Sequence, residues 1–328
     1  MPNEVIAGID IGGTKIALAL ETIDGARISS RNFPTCVELG PRLILEKIVA
    51  AVKEMVAESQ ARLSAIGVGC PGPLDFERGW VMSPTNLPGW DKFPIVSLLE
   101  ERLGVQTILD NDANVAALGE HTHGAGRGFT DMVYITISTG IGGGIICNDQ
   151  LVHGVSAGAG EIGHTTVLPD GPLCGCGARG CLEVLGSGTA LARRARERMV
   201  NGEPSSIITM VQSPDEITAR VVAQAAKRHD KLASEVWKEM IYYLSIGIGN
   251  VITTLAPEAV ILGGGVAMSG EQLLDPLRPL VRARVRMLPV EKVQILQAAL
   301  GDESGILGAL VIARRALSAK TASVKMAH

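Results

Sequence analysis

A cluster of thiols with one imidazole is the most distinctive chemistry in the sequence. Cys174, Cys176 and Cys181 share a glycine-rich segment, and His164 lies a short distance upstream. Three thiolates and one imidazole complete the tetrahedral shell that structural Zn²⁺ prefers, and this cysteine spacing is rare outside metal sites. Buried or redox-active thiols are the alternative. A closed shell of four protein ligands predicts a structural zinc ion, not a catalytic one.

A second group with chemical potential occupies residues 109–114, where carboxylates and amides follow a short apolar run. A carboxylate held at a strand end beside amides suits a general base that acts on a hydroxyl group, and Asp112 is the candidate. The structural alternative is a helix cap, because a helix is expected to begin near Ala113 and either Asn111 or Asp112 could cap it.

Three glycine clusters stand where apolar runs end, at Gly12-Gly13, Gly142–Gly144 and Gly263–Gly265. Successive backbone N–H groups in such turns attract phosphate oxygens, and Thr14 and Thr139 add hydroxyl groups. The spacing matches neither a P-loop nor a dinucleotide fingerprint, because the strand pattern resumes after the turn where a helix should start. A phosphate-binding hairpin is therefore expected, with an ordinary hairpin or bulge as the alternative for any one cluster.

Strands and helices alternate along the chain and must position these groups. Apolar runs at 5–10, 16–20 and 27–33 predict an antiparallel meander, and the pattern starts again near 132. The segments 8–13 and 137–142 resemble each other, which hints at two related halves. Ser213 to Glu216 reads as a capping box that starts a long helical stretch to about Leu255. Alternation in both halves predicts an α/β fold.

Composition excludes several classes of protein. The 328 residues are 46% hydrophobic with a mean hydropathy of +0.26, which excludes extended disorder. The net charge is −4 and the pI is about 5.9, with no dense basic block for nucleic acid or an anionic membrane. The start of the chain, Met1–Glu4, lacks a basic leader and a long apolar stretch. A cytoplasmic protein with no nucleic-acid or membrane partner is expected.

Taken together, these motifs resemble the ROK family (repressor, open reading frame, kinase) over essentially the whole chain. The motifs that carry the resemblance are 10–15, 109–114, 139–144, 160–164 and 174–183. It implies an actin-like ATPase fold of the hexokinase type, with two α/β lobes and the active site in the cleft between them. The expected lobes are a smaller one over 1–125, completed by a last helix at about 304–319, and a larger one over 126–303 that carries the zinc loop.

The resemblance also implies an activity, which is ATP-dependent phosphorylation of the 6-hydroxyl of glucose, with Asp112 as the base. The residues that would bind the sugar are Asn86, Asn111, Asp112, Glu161, His164 and Glu183. The residues that would bind the nucleotide and its magnesium ion are Asp10, Gly12, Gly13, Thr14, Thr139, Gly140, Gly264 and Gly265. Mg²⁺ and a structural Zn²⁺ would accompany ATP, and the family favours homodimers or homotetramers.

Two alternatives are kept. Kinases of N-acetylmannosamine, N-acetylglucosamine or fructose share the same motifs. The more distant alternative is a sugar-responsive transcriptional regulator, which in this family carries an N-terminal helix-turn-helix domain. Here the phosphate motif already begins by Gly8.

Overall fold

The apolar runs that open the sequence form a five-stranded sheet. In this computed structural model, residues 4–326 are described, with side chains through residue 318. The first strands are β1 (Glu4–Ile11), β2 (Lys15–Thr22), β3 (Arg27–Pro34), β4 (Arg62–Cys70), β5 (Leu74–Asp75), β6 (Trp80–Val81) and β7 (Gln106–Asn111). The sheet order is β3-β2-β1-β4-β7, with β5 and β6 paired separately. The predicted antiparallel meander is confirmed, and β4 and β7 run parallel to β1.

Helices cover this sheet because their apolar faces match it. The helices are α1 (Gly40–Ser59), α2 (Ile95–Leu103) and α3 (Asp112–His123). In α1 the buried positions Ile44, Ile48 and Val52 recur at helical spacing and pack with the apolar side chains of β1 and β2. The helix starts next to Pro41 and ends at Gln60, which adopts a left-handed conformation.

A second five-stranded sheet follows along the chain. Its strands are β8 (Met132–Ile137), β9 (Ile141–Cys147), β10 (Gln150–Leu151), β11 (Ala259–Gly263) and β12 (Gln294–Gln297). The order β10-β9-β8-β11-β12 repeats that of the first sheet: β9 is antiparallel to β8, whereas β11 and β12 are parallel to it. The two halves therefore share one topology, as the short sequence resemblance suggested.

The predicted turn at Gly142–Gly144 is wrong, because these glycines lie inside β9 opposite Thr136 to Tyr134. The turn is instead made by Ser138, Thr139 and Gly140. Glycine is needed within the strand for close packing, since a Cβ on Gly143 would lie 2.8 Å from a neighbouring carbonyl oxygen.

The helices of the second half are α4 (Leu182–Gly186), α5 (Gly188–Val200), α6 (Ala219–Lys227), α7 (Lys231–Leu255), α8 (Gly264–Ala267) and α9 (Glu271–Arg284). The predicted continuous helical stretch from Ser213 is wrong. Residues 214–216 form only a 3₁₀ turn, and Thr218 caps α6. The chain then reverses at His229, in a left-handed conformation, and Asp230 caps α7. The N-caps Thr218 and Asp230 therefore start two separate helices where apolar periodicity alone predicts continuity.

The last helix, α10 (Ser304–Met326), packs on the first sheet and extends beyond its expected end at about 319. Ile306 and Leu310 lie against the small side chains of β1, β2 and β4. Gly67 allows this approach, because a Cβ there would overlap the Ala309 carbonyl oxygen. The close packing brings the start of α10 to the end of β1.

The chain divides into two compact units. The first comprises 4–127, 151–159 and 302–326 of the described residues, and the second comprises 128–150 and 160–301. The lobes expected from the sequence, 1–125 and 126–303, place residues 151–159 in the second half. The structure groups these residues with the first unit instead. Among the helices within residues 4–326, none combines the length and hydropathy needed to cross a bilayer.

Candidate active site

In the first unit, acidic side chains gather at the carboxyl ends of parallel strands. Asp10 of β1 pairs in register with Gly69 of β4, which pairs with Asp110 of β7. Asp112 follows two residues later, as the first residue of α3. Because the central position is a glycine, little side-chain bulk separates these acids. Ligands of open α/β sheets characteristically bind at this edge.

The carboxyl group of Asp10 is strongly perturbed by its surroundings. Burial, with a further contribution from the negative charge of Asp112, raises the pKa of Asp10 from 3.8 to about 7, although Lys15 opposes the rise. The carboxylate also lies against the first turn of α10, where a Cβ on Gly305 would be 2.5 Å from Oδ2. A carboxylate oxygen is a preferred ligand of Mg²⁺, and a cation there would favour the ionised form. The residues present therefore fit the expected magnesium position.

The glycine turn after β1 is held by backbone groups. Gly12 N donates to Lys15 O at 2.9 Å, and Thr35 Oγ1 donates to Gly12 O at 2.6 Å. A Cβ on Gly13 would lie 2.8 Å from Asn86 O, so the turn and Asn86 are in direct contact. The structure thus brings together the predicted phosphate turn, which includes Thr14, and one predicted sugar ligand.

Asn111 caps α3 and Asp112 is the first residue of that helix. Asn111 Oδ1 accepts from Ala113 N at 2.9 Å, and Asp112 Oδ1 accepts from the same N–H at 2.8 Å. Asn111 Nδ2 lies beside Gly72, where a Cβ would come within 3.3 Å of it. The capping alternative is therefore confirmed for Asn111, and the hydrogen bonds from Ala113 N fix the direction of both side chains.

Asp110 is a residue to which sequence reasoning gave no role. It is only 4% exposed, and its Oδ1 accepts from Asn111 N and from Asn114 Nδ2, each at 2.8 Å. It therefore ties the end of β7 to the first turn of α3. The usable signal was an acid at the end of an apolar strand, which must find buried partners.

In the second unit, the turn between β8 and β9 meets the glycines after β11. Ser138 N donates to Gly140 O at 2.9 Å, which closes the turn around Thr139. A Cβ on Gly264, whose φ is +82°, would lie 2.6 Å from a carbonyl oxygen at the end of β8, and a Cβ on Gly265 would reach Ser138 Oγ. The predicted nucleotide ligands of this half therefore form one glycine-lined surface.

A cavity of about 930 Å³ opens next to that surface. Its lining includes Thr139 and Gly265, and Arg196, Arg220 and Lys227 contribute positive charge to it. The volume falls within the range of small-molecule pockets, and the basic lining suits an anionic ligand. The pocket can hold a phosphorylated nucleoside.

The predicted sugar ligands of this unit converge on Ile141, the first residue of β9. Ile141 N donates to Glu183 Oε2 at 2.9 Å. The turn 161–164 packs on the same residue, because a Cβ on Gly163 would overlap the Ile141 carbonyl oxygen. Glu161 and His164 are therefore held next to the start of the strand that follows Thr139-Gly140.

The four expected zinc ligands form one cluster. Their ligating atoms all lie within 4.8 Å of one another, with His164 Nδ1 3.6 Å from Cys174 Sγ and Cys176 Sγ 3.7 Å from Cys181 Sγ. Tetrahedral Zn²⁺ has bonds of about 2.3 Å to sulfur and about 2.0 Å to nitrogen, which places nitrogen and sulfur ligands about 3.5 Å apart and two sulfur ligands about 3.8 Å apart. The geometry therefore fits the ion.

Burial explains why this cluster favours a cation. It raises the pKa of the Cys181 thiol to about 12, whereas hydrogen bonding from the Ala178 backbone lowers the pKa of Cys176. A bound cation would offset the cost of a buried thiolate. His164 lies between the thiols and a predicted sugar ligand. Its Nδ1 faces Cys174 Sγ, and its Nε2 lies 3.9 Å from Glu161 Oε2.

Known proteins resemble this chain over nearly its full length. A sequence model described as the ROK family matches residues 6–316. The chain is 37% identical to a glucokinase of Halalkalibacterium halodurans, over 94% of each protein, and 35% identical to a glucokinase of Thermotoga maritima, over 95% of this chain and 98% of that one.

A solved structure also resembles this chain over nearly its full length. A ROK family glucokinase from Streptomyces griseus, solved with glucose and AMPPNP, matches with a TM-score of 0.80 and 34% identity, over 95% of this chain and 99% of that one. The actin-like ATPase fold of the hexokinase type is thereby confirmed. The agreement of motifs, sequence and fold over this length shows that the chain belongs to the ROK family.

Proposed function

We propose that this protein transfers the γ-phosphoryl group of ATP to the 6-hydroxyl of glucose and so forms glucose 6-phosphate. The observation that carries the proposal is the convergence on Ile141, where the Glu161–His164 turn and Glu183 meet the strand that leaves the Thr139-Gly140 turn. Groups that suit sugar hydroxyls and groups that suit phosphate are thus held by one strand end. Glucokinases with 34–37% identity over nearly the whole chain support the same activity.

Asp112 is the general base of the proposed reaction. The 6-hydroxyl oxygen attacks the γ-phosphorus, the bond from that phosphorus to the β,γ-bridging oxygen breaks, and ADP leaves with the bond electrons. Asp112 receives the hydroxyl proton. Its Oδ1 is oriented by the Ala113 N–H, which donates to it at 2.8 Å. Because the proton moves late in phosphoryl transfer, orientation matters more than basicity.

The remaining sugar contacts come from groups that can accept or donate to hydroxyls. In this assignment Asn86 and Asn111 offer amides, Glu161 and Glu183 offer carboxylates, and His164 offers Nε2. The capping bond of Asn111 Oδ1 leaves its Nδ2 as the donor toward the sugar. These five side chains together give selectivity, since a sugar that lacks one hydroxyl leaves its polar partner unpaired in the occupied site.

Backbone and metal groups serve the nucleotide. The turns at Gly12-Gly13-Thr14 and Thr139-Gly140 would present N–H and hydroxyl groups to phosphate oxygens. Gly265 lines the nucleoside pocket, and Gly264 directly precedes it. Asp10 would hold Mg²⁺, which supplies charge neutralisation on the phosphoryl oxygens when bound. His164, Cys174, Cys176 and Cys181 would hold a structural Zn²⁺, which stiffens the loop that carries the sugar ligands.

The proposal also covers the compartment, the oligomeric state and the partners of the enzyme. It acts in the cytoplasm as a homodimer or homotetramer on free hexose and ATP, with no nucleic-acid or membrane partner. Its two lobes divide at about 125, and the last helix completes the smaller lobe together with residues 151–159. Light scattering of the purified protein tests the oligomeric state.

Glucose-dependent ADP formation in a coupled assay tests the function. Asp112→Asn should keep glucose binding and lose about three orders of magnitude or more in kcat, because the amide cannot accept the proton. Asp24→Asn, which changes an exposed turn acid, is the matched control and should leave kcat unchanged. Turnover by the Asp112 variant close to that of wild type would remove Asp112 from its role.

The substrate is tested with a panel of glucose, mannose, fructose, N-acetylglucosamine and N-acetylmannosamine. The proposal predicts the highest kcat/KM for glucose. A higher value for an N-acetylated sugar or for fructose would assign the protein to one of the alternative kinases. Sugar-dependent DNA binding without ATP consumption would indicate a regulator instead.

A further inference from the structure

The buried carboxylate of Asp110 has a third partner that reaches it from a distant part of the chain. Its Oδ1 bonds to Asn111 N and Asn114 Nδ2, whereas its Oδ2 lies 2.8 Å from His153 Nε2. The side chain of Asp110 is 6% exposed and that of His153 is 46% exposed. An imidazole thus completes the hydrogen bonding of a carboxylate that directly precedes Asn111 and the proposed base.

His153 is itself held in place from two sides. Its ring packs edge-on against Phe76 with centroids 6.0 Å apart. The hydrogen bond to Asp110 raises the pKa of His153, which favours the charged imidazolium and a strong, charge-assisted bond. Both contacts lie within the first compact unit, to which residues 151–159 belong.

The backbone at His153 closes the segment that it anchors. His153 O accepts from Ala159 N at 2.9 Å, and Gly154, at φ +65°, allows the chain to turn there. In sequence the segment runs directly into Gly160-Glu161. Through its side chain, His153 therefore links the loop 153–159 to the end of β7, which carries Asn111.

We infer that His153 is a positioning residue for phosphoryl transfer: through Asp110 it holds Asn111 and Asp112 in their working directions. The inference rests on the proposed function. His153 touches neither reactant in this account, and its effect passes through one carboxylate. Loss of the imidazole leaves Asp110 Oδ2 without this donor inside the protein, so the carboxylate turns toward another donor. Its bonds to Asn111 N and Asn114 Nδ2 then weaken.

The expected kinetic signature is specific to the sugar side of the reaction. His153→Ala should lower kcat about tenfold and raise the KM for glucose several-fold, because small displacements of a catalytic group cost large factors in rate. The KM for ATP should change less than twofold. His153→Gln should recover most of the activity, since the glutamine Nε2 amide can donate to Asp110 Oδ2.

Two controls separate positioning from general loosening of the fold. Phe76→Leu removes the edge contact and keeps the hydrogen bond, so its kinetic constants should stay within twofold of wild type. In a double-mutant cycle with Asp110→Asn, His153→Ala should add little further loss, because both changes break one linkage. Thermal melting of each variant verifies that it is folded at the assay temperature.

Three outcomes would overturn the inference. They are unchanged kcat and glucose KM in folded His153→Ala, equal effects on the KM for glucose and ATP, and no recovery in His153→Gln. Wild-type protein that phosphorylates no hexose would refute the proposed function, and the inference with it. An active wild type with an unaffected His153 variant would refute the inference alone.

Discussion

Replacing Asp10 by asparagine should stabilise the protein above neutral pH in a buffer without divalent cations. Burial and the charge of Asp112 raise the pKa of Asp10 from 3.8 to about 7. Each pKa unit corresponds to about 1.4 kcal/mol, so the ionised carboxylate costs the folded state up to about 4 kcal/mol. An asparagine of nearly the same shape carries no charge and avoids that cost.

The sign follows from proton binding. Between about pH 4 and pH 7 the folded protein holds a proton on Asp10 that the unfolded chain has released. The free energy of unfolding of wild type should therefore fall as pH rises through this window and level off above it. The Asp10→Asn variant should lack this fall, so that the two proteins differ little near pH 4 and most above pH 7.

Urea unfolding at several pH values, with chelator and again with Mg²⁺, measures the effect. Mg²⁺ should stabilise wild type above pH 7 and leave Asp10→Asn nearly unchanged, because binding needs the carboxylate. The variant should also lose kinase activity. Parallel pH profiles for wild type and Asp10→Asn, with Asp24→Asn as the surface control, would refute this account of Asp10.

Two further substitutions test the second unit. Cys181→Ser should lower the zinc content from about one equivalent per chain toward zero and reduce the melting temperature, because a closed tetrahedral site needs every ligand; metal analysis of purified protein measures it. Gly140→Ala should raise the KM for glucose and cost about 1 kcal/mol of stability, because the new Cβ would displace Glu183 Oε2 from Ile141 N; kinetics and urea unfolding measure both.

Each of these expectations has a clear contrary result. A fully active wild-type enzyme that contains no zinc would refute the structural ion. A Gly140→Ala enzyme with wild-type KM would show that Glu183 can leave Ile141 N without consequence for the sugar.

Local patterns predicted the parts of the fold that local physics decides. The meander of β1 to β3 follows from short apolar runs separated by turn residues, and the start of α3 follows from Asn111 as a cap. The zinc ligands were predictable because metal chemistry demands a few residue types at close spacing, and the four ligating atoms do lie together.

Non-local packing decided what the sequence did not predict. A glycine can mark a tight turn, or it can mark a strand position that another chain segment approaches closely. The sequence does not distinguish the two cases, so it predicts a turn for Gly142–Gly144, which lie in β9. His153 gave no signal at all, because its partner Asp110 is distant in sequence and no spacing rule connects them. Buried hydrogen bonds between distant residues become visible only in the fold.

The two sheets show how one topology supports opposite electrostatics. Both have a hairpin followed by parallel strands, and both hold their candidate site residues at or just after the strand ends. In the first, burial and the neighbouring negative charge of Asp112 raise the pKa of Asp10 to about 7, and a bound cation would favour the ionised form. In the second, the hairpin turn around Thr139 presents N–H and hydroxyl groups, and basic side chains line the adjoining cavity. Anionic phosphate suits the second arrangement and a metal ion suits the first. A charged substitution should therefore have different consequences in the two units: Asp10→Lys would remove the carboxylate and with it the stabilisation by Mg²⁺, whereas Thr139→Asp would repel phosphate.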